Sequence, residues 1–120
     1  MMRTRTQSNN QTLINAWWAS VQPQITLFLD VMLAEQAISQ QEVTDAISYM
    51  ENRCTYIQTL QTPAVLHAVQ ADLLAALMNM QQSLTYQAQG NGFSAESRYQ
   101  MAQSNLDSMR LGLLAFNIML

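Results

Sequence analysis

Apolar residues recur along this chain at spacings of three and four positions, the period of an α-helix that packs on one side. The clearest run lies near the C-terminal end of the sequence. It steps by three and four without a break through Tyr99, Ala102, Leu106, Met109, Leu113, Phe116 and Leu120. Alternation with the two-residue period of a strand is not evident. The pattern therefore predicts an all-α protein whose helices each bury one apolar face.

Turn and capping residues divide this pattern into four predicted helices, at about 12–38, 40–60, 63–89 and 95–119. Ser39 and Glu42 have the spacing of a capping box at the start of the second helix. Pro63 suits the first position of the third helix, where its missing N–H has no helical partner. The Gly90-Asn91-Gly92 turn stops that helix, and we expect Ser94 to cap the fourth.

Each of the other three helices has a predicted core face. For the first helix the face comprises Ile14, Trp17 or Trp18, Val21, Ile25, Phe28 and Met32. For the second it comprises Val43, Ile47, Met50, Cys54, Ile57 and Leu60. For the third it comprises Leu66, Val69, Leu73, Leu77, Met80 and Leu84. Because the predicted connections are short, successive helices are expected to be antiparallel neighbours in a single up-down-up-down four-helix bundle.

The first helix is the least regular element of the prediction. Pro23 removes one backbone hydrogen bond, so the helix is expected to be kinked or split there. The stretch 24–61 contains neither Gly nor Pro, so one continuous helix is an alternative to two. The polar interval 34–42 favours a turn near 38–40. Residues 1–11 form a polar leader, and the predicted bundle domain covers 12–120.

Composition gives this bundle an unusual surface. Charged residues make up 11% of the chain against about 25% in typical proteins, and Lys is absent. Instead, 16 Gln and 8 Asn supply much of the polar surface. A surface with so few charges favours a stable assembly or a compartment where charge matters less. The net charge of −3 and the pI near 4.7 argue against a nucleic-acid partner, which would require a basic patch.

Several classes of site lack the residues they need. One His and no Glu-x-x-His motif exclude a di-iron or di-manganese bundle, and a closed zinc site would need more Cys or His. The Gly90-Asn91-Gly92 turn lacks the Lys of a phosphate-binding loop. Cys54 is expected in the core as a small apolar residue, and Asp107 and Arg110 as exposed i,i+3 neighbours. The sequence therefore predicts no metal site, no cofactor, no catalytic residues and no enzyme activity.

One pole of the predicted bundle collects residues that suit a ligand. The topology brings together there a histidine, a cysteine, a methionine and several aromatic side chains: Trp17, Trp18, Cys54, Tyr56, His67, Phe116 and Met119. Imidazole and thioether groups are axial ligands of haem in helical bundles. A small-molecule or haem-binding bundle that uses a pocket around His67 is therefore one hypothesis. The more usual explanation of a histidine one position off a core face is a boundary residue that hydrogen-bonds to a neighbour.

The predicted first helix has more apolar surface than one buried face requires. Leu27 and Val31 lie off the stripe that contains Ile25, so the helix is apolar on nearly all sides between 25 and 33. Trp17 and Trp18 are about 100° apart around the helix and are not expected to fill the same core position. A second apolar face is expected to meet a partner. A more central position of this helix in the bundle is the alternative explanation.

The leading hypothesis is a non-enzymatic interaction or structural module that self-associates or docks into a larger assembly through the first helix. Its predicted interface residues are Trp17, Trp18, Leu27 and Val31, and its partner is a second copy or another protein. The longest apolar segments, 25–34 and 111–120, are too short to span a membrane. Residues 1–10 do not resemble a signal peptide, so a cytoplasmic location is expected as the sequence is written. An extracytoplasmic location is expected if Met1 is not the native start.

Overall fold

The computed structural model describes residues 11–26 and 40–119 of the chain. Four α-helices pack against one another in it: α1 over 11–26, α2 over Gln40–Thr59, α3 over His67–Ala88 and α4 over Gly92–Leu114. A short 3-10 helix, Ala64–Leu66, leads into α3. The described residues contain no strand. The prediction of an all-α, four-helix protein is therefore confirmed.

The core is built from apolar side chains of all four helices, at the three- and four-residue spacing that the sequence shows. Buried members are Ile14, Trp17, Val21, Ile25, Val43, Met50, Ile57, Leu66, Val69, Leu73, Leu77, Met80, Leu84, Ala102, Leu106, Met109 and Leu113. Within the described part of the chain, α3 packs against α2 and most extensively against α4. Burial of each large aliphatic side chain contributes about 1.5–3 kcal/mol. This distributed burial holds the bundle together.

The described part of α1 continues past Pro23 as far as residue 26. Pro23 is exposed, on the side away from the buried Val21 and Ile25. The predicted kink at this proline stays a prediction. Phe28 and Met32 of the predicted core face, the Ser39 cap and the choice between one and two helices over 24–61 lie outside the described residues.

The starts of α3 and α4 differ from the prediction by a few residues. Pro63 precedes the 3-10 helix, so regular α-helix begins only at His67 and not at Pro63. The cap of α4 is Asn91, whose side-chain oxygen accepts the backbone N–H of Ser94 at 3.2 Å. Ser94 was predicted for this role but lies within the first turn. Asn91 has non-helical backbone angles and directly precedes the helical Gly92, which is the geometry of an N-cap.

Helix α4 ends at Leu114, five residues before the predicted end at 119. Asn117 adopts a left-handed backbone conformation with φ 59°. Its N–H donates to the Leu114 carbonyl at 3.0 Å, and the Ile118 N–H donates to the Leu113 carbonyl at 3.1 Å. This pair of bonds is a Schellman motif, in which a left-handed residue satisfies the last carbonyls of a helix. Because Asn tolerates that conformation, the helix ends there although the three- and four-residue apolar spacing continues in the sequence.

Two close approaches fix α3 against α4. The buried Ser83 hydroxyl donates to the Ala95 carbonyl at 2.7 Å, which satisfies a polar group inside the interface. Farther along both helices, a Cβ built on Gly112 would lie 2.9 Å from Cγ2 of Val69. Real Cβ atoms essentially never approach so closely, so the two helices touch at a position where only glycine fits without a shift.

Candidate functional site

The predicted pole around His67 is partly assembled by hydrogen bonds. Nε1 of the buried Trp17 donates to Oε1 of Gln70 at 3.3 Å, and the Thr62 hydroxyl donates to the same oxygen. Nε2 of His67 lies 3.2 Å from the Thr62 carbonyl oxygen, to which it donates in the tautomer protonated there. A polar chain thus connects Trp17, Gln70, Thr62 and His67. Gln70 and Thr62 were not among the predicted site residues.

The other predicted members of the pole have different surroundings. Phe116 is half-buried and packs against the core, whereas Met119 is exposed. Tyr56 is exposed on α2, and Cys54 is half-buried there. Burial, and to a smaller extent the nearby Glu51 carboxylate, raises the pKa of the Cys54 thiol. Among the predicted members, Trp17 and Phe116 are therefore packed in or against the core, whereas the His67 imidazole and the Met119 thioether are accessible.

A guanidinium cluster, which sequence reasoning missed, lies between α1 and α2. The Arg53 guanidinium carbon lies 5.4 Å from the centre of the Tyr49 ring and 5.5 Å from that of Tyr56. Its Nη1 donates to Oε1 of Gln24 on α1 at 2.8 Å. Burial raises the pKa of the Tyr49 hydroxyl, and the Arg53 charge partly opposes that rise. Tyr at positions four before and three after an Arg was the sequence signal for this cation–π arrangement.

A cleft of about 390 Å³ opens on α3 and α4, away from the predicted pole. It is lined by Met78, Gln81, Gln82, Thr85, Tyr86, Gln89 and Arg98. Arg98 donates to the side-chain oxygen of Asn79 at 3.3 Å, and Asn79 donates to that of Asn105 at 2.8 Å. None of the predicted site residues lines this cleft. Its walls combine amide and hydroxyl groups with a similar area of apolar surface, and no periodic signal in the sequence marks these residues as a group.

The predicted interface of the first helix is described only in part. Trp17 lies in the core, while Trp18 is half-buried and packs against the core. Leu27 and Val31 lie outside the described residues. Leu13 belongs to the described helix and is 47% exposed. Trp18 and Leu13 are therefore the large apolar residues of the described α1 that remain accessible.

On α4, the Arg110 guanidinium lies 3.5 Å from the Asp107 carboxylate, as the i,i+3 spacing predicted. Among residues 11–26 and 40–119, no group of three His, Cys, Asp or Glu side chains is placed to hold a metal ion. In the same residues, no helix has both the length and the hydropathy that a membrane crossing requires. Comparison of the chain with protein-family models, curated proteins and solved structures found no match.

Proposed function

We propose that this chain is a non-enzymatic helical interaction module that docks, onto a second copy or into a larger assembly, through the outer side of its first helix. The sequence of that helix supports the proposal, since it is apolar on nearly all sides between 25 and 33. The charge-poor, amide-rich composition supports it as well, because few charges oppose close contact between chains.

The single observation that carries the proposal is the exposure of Leu13. Ile14, Val21 and Ile25 are buried and mark the core side of α1. Leu13 lies off that side, and 47% of its surface is accessible. Leu27 follows Leu13 by two heptads in the sequence, a spacing that keeps two residues on nearly the same helical face. Leu13 is therefore an accessible apolar residue that shares the helical spacing of the surplus apolar positions 27 and 31.

An antiparallel, up-down-up-down order of the helices is part of the proposal. Contacts between α3 and α4 support it, because Ser83 near the end of α3 bonds to Ala95 near the start of α4. Val69 near the start of α3 meets Gly112 near the end of α4. Between α2 and α3, Gln81 donates to Glu51 at 2.9 Å, which fits the same order.

The test is the mass of the chain in solution after charges are placed on the first helix. Leu27→Glu combined with Val31→Glu should dissociate the assembly and leave helical circular dichroism unchanged, since a carboxylate is costly to bury at an interface. Leu13→Glu should weaken the assembly in the same direction. Val65→Glu is the matched control, because Val65 is 51% exposed and lies on the 3-10 helix. A mass that the helix-one substitutions do not change would refute the proposal.

A small-molecule site at the His67 pole is the second candidate function, favoured by the accessible imidazole at the end of the polar chain from Trp17. Trp17 lies in the core and Phe116 packs against it, so a haem that used these two side chains would have to displace core contacts. Titration with haemin, followed by visible absorbance, tests it. An absorbance change that His67→Ala abolishes would support the haem version, and an unchanged spectrum would refute it.

A further inference from the structure

The turn between α3 and α4 contains the only Asn-Gly peptide bond of the sequence. Of the 8 Asn residues, Asn91 alone is followed by a glycine, Gly92. Both residues are exposed, and a Cβ built on Gly92 would meet nothing within 4 Å. Water and hydroxide therefore have free access to this peptide bond.

An accessible Asn-Gly bond can react with itself. The Gly92 nitrogen, after loss of its proton to base, adds to Cγ of the Asn91 side chain and closes a five-membered succinimide ring. The side-chain nitrogen leaves as ammonia. Water then opens the ring at either carbonyl, which gives Asp at one carbonyl and isoaspartate, whose main chain runs through Cβ and Cγ, at the other. A side chain on the following residue hinders the attacking nitrogen, and glycine has none.

The start of α4 adds two features that favour this reaction. Gly92 is the first residue of α4, so its N–H has no acceptor within the helix and can be removed by base. The Ser94 N–H donates to the side-chain oxygen of Asn91 at 3.2 Å. That oxygen takes up negative charge when the Gly92 nitrogen adds to Cγ, and a backbone N–H at the start of a helix stabilises such a charge. The capping bond therefore polarises the carbonyl that is attacked.

We infer that Asn91 is a site of spontaneous modification in the folded chain, which loses ammonia there and becomes Asp or isoaspartate. The two products have opposite effects on the turn. Asp keeps an acceptor for the Ser94 N–H and adds a negative charge that the helix dipole favours. Isoaspartate adds one carbon to the main chain after the Asn91 N–H, which donates to the Tyr86 carbonyl at 2.9 Å, and so displaces the first turn of α4 from its cap. This inference does not depend on docking through the first helix.

Peptide mapping by mass spectrometry, on the folded full-length chain kept in mildly alkaline buffer, tests the site. Asn91 should convert at least about tenfold faster than each of the other seven Asn residues, because only Asn91 precedes a glycine. Gln89 is the internal control, since it precedes Gly90 in the same exposed turn. Its side chain is one carbon longer and must close a six-membered ring, which is slower. Conversion that is no faster at Asn91 than at Gln89 or at the other Asn residues would overturn the inference.

Gly92→Ala is the matched variant. It keeps Asn91 and leaves room for the new methyl group, because nothing lies within 4 Å of the added Cβ. The methyl group hinders the attacking nitrogen, so conversion of Asn91 should slow about tenfold while the circular dichroism stays that of the wild type. Equal rates in the two chains would mean that ammonia is not displaced by the Gly92 nitrogen, which contradicts the inference.

Low concentrations of urea, below the unfolding transition, test whether the folded chain reacts. The rate at Asn91 should stay constant as urea is raised, because the reaction uses the native turn. A rate that rises in proportion to the unfolded fraction would place the reaction in the unfolded chain and overturn the inference. The isoaspartate product, separated by anion exchange and chromatography, should unfold at less urea than Asn91→Asp. Equal midpoints would contradict the opposite effects assigned to the two products.

Discussion

Replacing Gly112 with alanine should destabilise the bundle, although alanine is the better helix former. The new methyl carbon would lie 2.9 Å from Cγ2 of Val69, closer than ordinary carbon contacts. Val69 has little freedom to move aside, because it is buried and a β-branched side chain in a helix has one strongly preferred rotamer. The alanine must therefore push α3 and α4 apart or strain Val69.

The expected magnitude follows from two opposing effects. Glycine to alanine in a helix interior stabilises by about 1 kcal/mol. An extra methyl group in a filled core costs about 1–3 kcal/mol. The net change in the free energy of unfolding should therefore be a loss of about 0–2 kcal/mol. In a Val69→Ala background the clashing methyl is absent, so Gly112→Ala should then stabilise by about 1 kcal/mol.

Urea unfolding followed by circular dichroism, on the wild type, both single variants and the double variant, measures this cycle. The coupling between positions 69 and 112 should be about 1–3 kcal/mol. Gly92→Ala serves as control, because nothing lies within 4 Å of its added Cβ. A coupling below about 0.5 kcal/mol would refute the reasoning, since it would mean that α3 and α4 do not meet closely at these two residues.

Three further predictions concern single residues. Gly90→Ala should destabilise by about 1–2 kcal/mol, because Gly90 has φ 77°, a conformation that an L side chain strains; no clash adds to this, since nothing lies within 4 Å of the added Cβ. Gly92→Ala should instead stabilise by about 0.4–1 kcal/mol. Unfolding midpoints in urea compare the two variants. Ser83→Ala should cost about 0.5–1.5 kcal/mol by loss of the bond to the Ala95 carbonyl, measured the same way. The raised pKa of Cys54 means that the folded chain holds the thiol proton more tightly than the unfolded chain. The contribution of this thiol to stability should therefore be constant below about pH 8.5 and be lost as the pH rises through the folded-state pKa, so Cys54→Ala should reduce the alkaline loss of stability in urea titrations between pH 7 and 10.

Each of these has a result that contradicts it. Equal effects of alanine at positions 90 and 92 would mean that the left-handed turn does not form. An unchanged stability of Ser83→Ala would place that hydroxyl in water instead of the interface. Alkaline behaviour that does not depend on residue 54 would show that the thiol proton is held no more tightly after folding.

The helices themselves could be predicted because each core face repeats over several turns. Leu73, Leu77 and Met80 in α3 are buried as predicted, and so are Leu106 and Met109 in α4. A helix can bury all residues of such a pattern only by packing that one side, so an error at a single position does not change the predicted helix. The 3.6-residue period therefore identified the elements and the sides on which they pack.

Helix ends and specific contacts were not predictable in the same way. Asn91 and Ser94 are both good capping residues, and the choice between them depends on where the backbone first becomes helical. Asn117 ends α4 by adopting a left-handed conformation that the apolar spacing does not reveal. The approach of Gly112 to Val69 depends on the distance between two helix axes, which no single-helix pattern contains.

The candidate site was likewise predictable in part: its position followed from the sequence, but its hydrogen bonds did not. Sequence reasoning placed Trp17 and His67 at one pole, and the structure links them through Gln70 and Thr62. Because Gln is the commonest polar residue of the chain, no feature of position 70 distinguishes it from the other glutamines. A buried polar partner of this kind is found only when the tertiary structure is known.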